Sequence, residues 1–145
     1  MEAHDRGGDR GVFGRALLGV RFLIDTVVLI CMAQTPSRLS RRAMRAIQKP
    51  GRILELSALS LSEIAIKNRS GKLTIPEADI HETLADLDIR ILPYTREHAF
   101  RLFALPWHHT DPFDRQILAQ ALAEGIPVVT SDEMFGRYEG IRVIW

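Results

Sequence analysis

The chain has 145 residues, 46% of them apolar and 26% charged, and its 19 Lys and Arg against 18 Asp and Glu leave a net charge of +1. An apolar fraction near one half suits one folded domain of ordinary size and excludes disorder, collagen-like repeats and a disulfide-stapled miniprotein. Near-neutrality excludes a protein that coats nucleic acid through bulk positive charge, but not a local basic site.

The first fifteen residues hold four glycines, three arginines and three acids without an apolar period, so residues 1–19 are expected to form a flexible extension outside the fold. The apolar neighbourhood at 20–33 is interrupted by Arg21 and Asp25 and is shorter than the roughly 20 apolar residues a membrane span needs. Cys31 is the single cysteine, which predicts a buried, inert thiol in a reducing, cytoplasmic setting. Strand-like segments are expected at 20–24, 52–58, 89–92, 126–130 and 141–144, each short and rich in β-branched or large apolar residues. Between them the period becomes helical at 27–33, up to Gln48 after a Ser37 cap, and at 61–70, 77–88, 96–104 and 112–124, with a short helical turn at 133–138. Pro112 opens one helix and Gly125 closes it. Strands spaced by helices predict one α/β domain with a mostly parallel sheet of four to five strands covered on both faces.

In an open parallel sheet ligands bind beyond the carboxyl ends of the strands, near the switch in strand order. Four acids stand at such places: Asp25 directly after the first strand, Glu63 after the second, Asp114 after the Trp107-His108-His109-Thr110 loop, and Asp132 after the fourth strand. Three of them have a plainer reading. Ser60-Leu61-Ser62-Glu63 fits a capping box, Asp111-Pro112-Phe113-Asp114 fits a capped helix start, and Asp132 suits a turn. Asp25 resists such a reading, because a carboxylate at the inner end of an apolar strand is costly unless paired or metal-bound. Converging carboxylates would raise one another's pKa, a repulsion that a divalent cation relieves. His108 and His109 are adjacent rather than one helical turn apart, so an all-oxygen site for Mg²⁺ or Mn²⁺ is expected in preference to zinc. Such ions typically act on phosphates.

The motifs Phe22-Leu23-Ile24-Asp25-Thr26, Ser57 through Lys67 with Glu63 at its centre, His109-Thr110-Asp111-Pro112-Phe113-Asp114-Arg115 with Ala119-Gln120-Ala121 following, and Val129-Thr130-Ser131-Asp132 occur in that order. Together, from about Val20 to Trp145, they resemble the PIN-domain family and more narrowly the VapC-type ribonuclease toxins of type II toxin–antitoxin pairs. The resemblance implies a PIN-like three-layer domain at 20–145 and a Mg²⁺- or Mn²⁺-dependent endoribonuclease acting on tRNA or another structured RNA. In it Asp25, Glu63, Asp114 and Asp132 are the four catalytic, metal-binding acids. It assigns Thr130 to orienting a carboxylate or water, and Asp111 to capping the helix with a supporting role or a second metal. Metal-activated water would attack the phosphate, leaving a 5′-phosphate and a 3′-hydroxyl. A small VapB-like antitoxin and a homodimer are the implied partners. Val27, Cys31 and Ser62 stand where close relatives often carry His or Trp, but no acid is lost.

Arg38, Arg41, Arg42, Arg45 and Lys49 recur at helical spacing and are expected to form one basic stripe, either a solvated face or a contact for RNA or an acidic partner. Phe100, Phe103, Trp107 and Phe113 read as core or interface residues, with the 102–107 segment a candidate dimer contact. A housekeeping PIN nuclease and a non-catalytic PIN-like scaffold remain as alternatives; an adjoining antitoxin gene would speak against the first, and the four intact acids speak against the second. Because the resemblance begins at Val20, residues 1–19 are expected to be a start-site misassignment. Intact-mass measurement of the native protein should find a chain starting at position 20; finding the full extension would refute this.

Overall fold

The computed structural model describes residues 19–145; apart from Gly19, the predicted extension lies outside the described residues. The strands are β1 (Arg21–Ile24), β2 (Ile53–Ser57), β3 (Ile89–Leu92), β4 (Val128–Val129) and β5 (Val143–Ile144). The helices are α1 (Thr26–Gln34), α2 (Arg41–Gln48), α3 (Ala58–Arg69), α4 (Glu77–Asp86), α5 (Arg96–Arg101) and α6 (Pro112–Glu124), with 3₁₀ turns at Pro36–Arg38, Leu102–Ala104 and Glu133–Arg137. All four strand pairings are parallel and the order is β3-β2-β1-β4-β5. The chain therefore lays β2 and β3 to one side of β1 and then crosses to build β4 and β5 on the other. The carboxyl ends of β1 and β4 lie side by side at that reversal, which is where an open parallel sheet leaves a crevice.

Alternation along β1 divides the interior into two cores. Phe22 and Ile24 pack with Leu54 and Leu56 of β2 and with Val28, Leu29, Ala43, Ile47, Ile64 and Ile80 of the first four helices. Leu23 points the other way, among Ile117, Leu118 and Ala121 of α6 and Phe135 and Tyr138 near the carboxyl terminus. This second face also carries a charge cluster at the amino-terminal edge of the sheet. The Arg21 guanidinium donates to both oxygens of Glu55 on β2, at 2.7 and 3.0 Å, and to Glu124 of α6 at 3.1 Å. His98 meets the other Glu124 oxygen at 2.9 Å.

Local signals account for most element boundaries. Asp111 caps α6 through the N–H groups of Phe113 and Asp114, and Gly125 ends it at φ +64°, a left-handed conformation that suits glycine. Thr95 caps α5 in a capping box with His98. Several expectations need correction. α2 begins at Arg41 under a Ser40 cap, not after Ser37, because Pro36 to Arg38 close a separate 3₁₀ turn. The segment at 96–104 splits into α5 and a 3₁₀ turn, and β4 and β5 are only two residues long. Cys31 is half-buried, not buried. Phe100, Phe103 and Trp107 are 57%, 88% and 70% exposed, which removes them from the core. Among the described residues no helix is long and apolar enough to cross a membrane.

The Arg21 cluster yields a stability prediction. Glu55 is almost fully buried, and removing one partner of a buried pair leaves an uncompensated charge worth about 3–5 kcal/mol. Arg21→Met should lower unfolding free energy by about that amount in urea titration, whereas Arg21→Met combined with Glu55→Leu should recover most of the loss.

Candidate metal centre

The crevice at the strand reversal collects the acids. Asp25 follows β1 directly, its backbone N–H donating to the Val129 carbonyl at 3.0 Å. Its Oδ1 accepts the Thr26 N–H at 2.7 Å, capping α1, and its Oδ2 accepts the Thr130 hydroxyl at 2.8 Å. Thr130 is fully buried, and its oxygen also accepts the Asp132 N–H at 3.0 Å. One hydroxyl thus ties the carboxylate that follows β1 to the one that follows β4. Asp132 uses Oδ1 to cap the next 3₁₀ turn at the Met134 N–H, 2.9 Å away.

Glu63 arrives from α3, but not as a capping residue. Ser57 caps that helix through the Leu59 N–H, so the expected capping box at Ser60 does not form. Ser60 is buried inside the helix and accepts the Thr26 hydroxyl at 2.9 Å. Starting three residues earlier puts Glu63 in the second turn, 4% exposed, with Oε2 on Lys67 Nζ at 2.6 Å. Its Oε1 is buried and has no hydrogen-bond partner among the described residues. Asp114 lies in the first turn of α6, and its N–H goes to Asp111 Oδ1 at 3.1 Å, leaving its own carboxylate facing the crevice.

Asp25, Glu63, Lys67, Asp114, Ser131 and Asp132 line a cleft of about 350 Å³. All four predicted acids therefore meet. Asp111 is not among the lining residues, since its carboxylate is occupied in capping α6. Of the predicted basic stripe, Arg41, Arg42 and Arg45 lie on α2, Arg38 in the preceding 3₁₀ turn and Lys49 just beyond the helix. All five are exposed and none lines this cleft. A larger cleft of about 590 Å³ between α3 and α4 is lined mostly by apolar residues such as Leu61, Ile64 and Leu84 and holds none of the four acids.

Two participants escaped the sequence reading. Lys67 stands four residues after Glu63, a spacing that favours a helical ion pair and could have been noticed. His109 stands between two of the acids, with Nε2 at 2.7 Å from Asp132 Oδ2 and 3.1 Å from Asp114 Oδ2. Its Nδ1 accepts the Asp111 N–H at 3.2 Å, an arrangement that assigns the proton to Nε2 and makes the imidazole a donor to both carboxylates. His109, Asp114 and Asp132 offer ligand atoms within 4.8 Å of one another. The expected all-oxygen cluster therefore has a nitrogen beside it, placed by the loop fold and not by any spacing of two histidines.

Burial raises the Asp25 carboxyl to about 6, against the hydrogen bonds from Thr130 and Thr26, with Glu63 and Asp132 adding to the rise. Burial likewise raises Asp114 to about 7, with Asp25, Asp111 and Glu63 adding to the rise and His109 opposing it. The donor set fits a hard divalent cation: carboxylates that are hard to ionise together, with an orphaned buried oxygen among them. Asp25, Glu63, Asp114 and Asp132 are the residues placed to hold such a cation.

The model of the PIN domain family fits residues 22–141, and the chain belongs to that family. Solved structures share the fold at low identity. VapBC2 of Rickettsia felis bound to a promoter DNA fragment matches with TM-score 0.63 and 14% identity over 86% of this chain and 97% of that one. DNA-bound VapBC of Salmonella typhimurium gives TM-score 0.63 and 20% identity over the same shares. VapBC-1 of nontypeable Haemophilus influenzae gives 0.61 and 18% over 86% and 96%. Comparison with curated protein sequences finds no match.

The raised carboxyls carry a stability consequence. Asp25 and Asp114 hold protons more tightly folded than unfolded, so their contribution to metal-free stability is full below the unfolded value of 3.8 and is lost as pH rises through about 6 and 7. Asp114→Asn should raise Tm at pH 8 in EDTA and raise it much less at pH 4.5. Thermal melts at both pH values check this; the same gain at each would contradict it.

Proposed function

We propose that this chain is a metal-dependent endoribonuclease, the VapC-type toxin of a type II toxin–antitoxin pair. The observation that carries the reading is the convergence of Asp25, Glu63, Asp114 and Asp132 on one cleft at the strand reversal, with a buried Glu63 oxygen left unpartnered. Membership of the PIN family supports a nuclease, and the likeness to toxin–antitoxin structures supports the toxin class. A bound Mg²⁺ or Mn²⁺ would supply Lewis-acid stabilisation at a phosphate oxygen and a more acidic water. The protein's own groups do the positioning. Thr130 holds Asp25 and Asp132 in one frame, His109 donates between Asp114 and Asp132, and Lys67 fixes Glu63 while presenting a cation at the cleft for an incoming phosphate. Hydrolysis adds water across the P–O3′ bond and leaves a 5′-phosphate and a 3′-hydroxyl.

The substrate in this reading is tRNA or another structured RNA, the setting is cytoplasmic, and the protein acts from residues 20–145 as a homodimer. Its partner is a VapB-like antitoxin that covers the acidic cleft, with the exposed arginines of α2 available for RNA or for an acidic segment of that partner. Induced expression should arrest growth, and the purified chain should cleave RNA with Mg²⁺ or Mn²⁺ but not with EDTA. Asp25→Asn should abolish both effects. Thr130→Val, which removes the hydroxyl and keeps the shape, should weaken metal affinity by about 10–100-fold in calorimetry. Unimpaired growth and no metal-dependent cleavage from the unmodified chain would refute the proposal.

A further inference from the structure

Trp107 lies two residues before His109 and is 70% exposed, yet it is firmly held. The Arg115 guanidinium lies 3.8 Å from the centroid of its indole. Arg115 is itself buried and donates to three backbone carbonyls, those of Pro106 at 3.0 Å, His109 at 3.2 Å and Leu105 at 3.3 Å. A guanidinium fixed by three carbonyls covers one indole face, and the exposure must come from the other face and the edges. The ring also forms one wall of a cleft of about 300 Å³, completed by Leu102, Thr110, Pro112, Arg115 and Gln116. Gln116 spends its amide N–H on the Pro112 carbonyl at 2.9 Å, while Thr110 is exposed.

An exposed indole on a rigid support, with the Thr110 hydroxyl and the Gln116 amide lining the same cleft, suits a planar heteroaromatic ring carrying its own hydrogen-bonding edge. The location narrows the class further. One loop carries both features, since His109 reaches the acids and Trp107 and Thr110 face the cleft. Two residues of chain place the Trp107 and His109 backbones within about 7 Å of each other. We propose that the Trp107 cleft is a nucleobase subsite, in which an unpaired base of the RNA stacks on the indole and thereby sets which phosphate reaches the acidic centre. The inference rests on the nuclease reading and adds to it a specificity-determining residue. Trp107 is separable from the other exposed rings, because Phe100 and Phe103 stack on each other at 5.9 Å while the indole's partner is Arg115.

The chain supplies its own reporter. It has two tryptophans, Trp107 and Trp145, so Trp145→Phe leaves Trp107 as the only indole. In that background, with Asp25→Asn to prevent cleavage, single-stranded RNA hexamers of each base should quench indole fluorescence saturably, and a duplex of the same length should not. In the Asp25→Asn chain with Trp145 retained, Trp107→Leu keeps apolar bulk without an aromatic face. It should weaken hexamer binding, measured by polarisation of labelled RNA, by about 5–150-fold, the range for one lost base stack. Trp107→Phe should restore most of the affinity, and circular dichroism should show all variants folded. Absence of quenching, or equal RNA affinity for Trp107→Leu, would overturn the subsite. So would light scattering that shows Trp107→Leu turning a dimer into a monomer while RNA affinity is unchanged, because the indole would then be a contact between copies. Trp107-dependent binding without metal-dependent cleavage of any RNA would refute the nuclease reading alone. Metal-dependent cleavage without Trp107-dependent binding would refute the subsite alone.

Discussion

The site depends on a carboxylate held where a carboxylate is costly. Asp25 is 5% exposed at the carboxyl end of β1, and among the described residues its carboxylate forms no salt bridge and is held by the Thr130 hydroxyl and the Thr26 amide. Three further acids are brought toward it from the second turn of α3, the first turn of α6 and the cap of the 3₁₀ turn after β4. Nothing in local propensity demands that arrangement; it follows from the strand order, which sets the ends of β1 and β4 against each other and leaves room between them. The fold accepts electrostatic repulsion at one edge of the sheet and offsets it with two apolar cores.

The opposite edge shows what a silent buried acid looks like. Glu55 is nearly as buried as Asp25, and both belong to the central strands or their ends. Arg21 satisfies Glu55 at both oxygens, whereas Glu63 keeps one oxygen without a partner. Burial alone therefore does not distinguish these acids. Whether every carboxylate oxygen finds a partner among the described residues does, and on that criterion the amino-terminal edge of the sheet is closed and the carboxyl-terminal edge is open.

Much of this could be read without coordinates. The alternation of short apolar strands with helices specified the sheet, and Asp25, Asp114 and Asp132 were visible because each directly follows, or caps near, an element end. Glu63 was identified with the wrong local role: Ser60 and Ser57 both precede plausible helix starts, and only packing against Thr26 selects the earlier one. His109 was passed over because the sequence test for a metal histidine looks for a partner at helical spacing, while its partners here are aspartates five and twenty-three residues away that tertiary structure delivers. The core reading of Phe100, Phe103 and Trp107 fails for a related reason. Composition reports that a ring is apolar, not that a buried arginine lies beneath the indole of Trp107.

The loop from Leu105 to His109 is held largely by its backbone. Arg115 takes three of its carbonyls, and the Tyr138 hydroxyl accepts the N–H groups of His108 and His109 at 3.1 and 2.8 Å. Leu105 in the core and His109 at the acids add side-chain anchors, but much of the loop's shape is set by these backbone bonds. Natural drift or laboratory selection at Trp107, His108 and Thr110 can alter the surface that the loop offers while the anchors on α6 and near the carboxyl terminus stay put. A scaffold of this kind lets the outer surface of the loop change while the acidic cleft beside it keeps its shape.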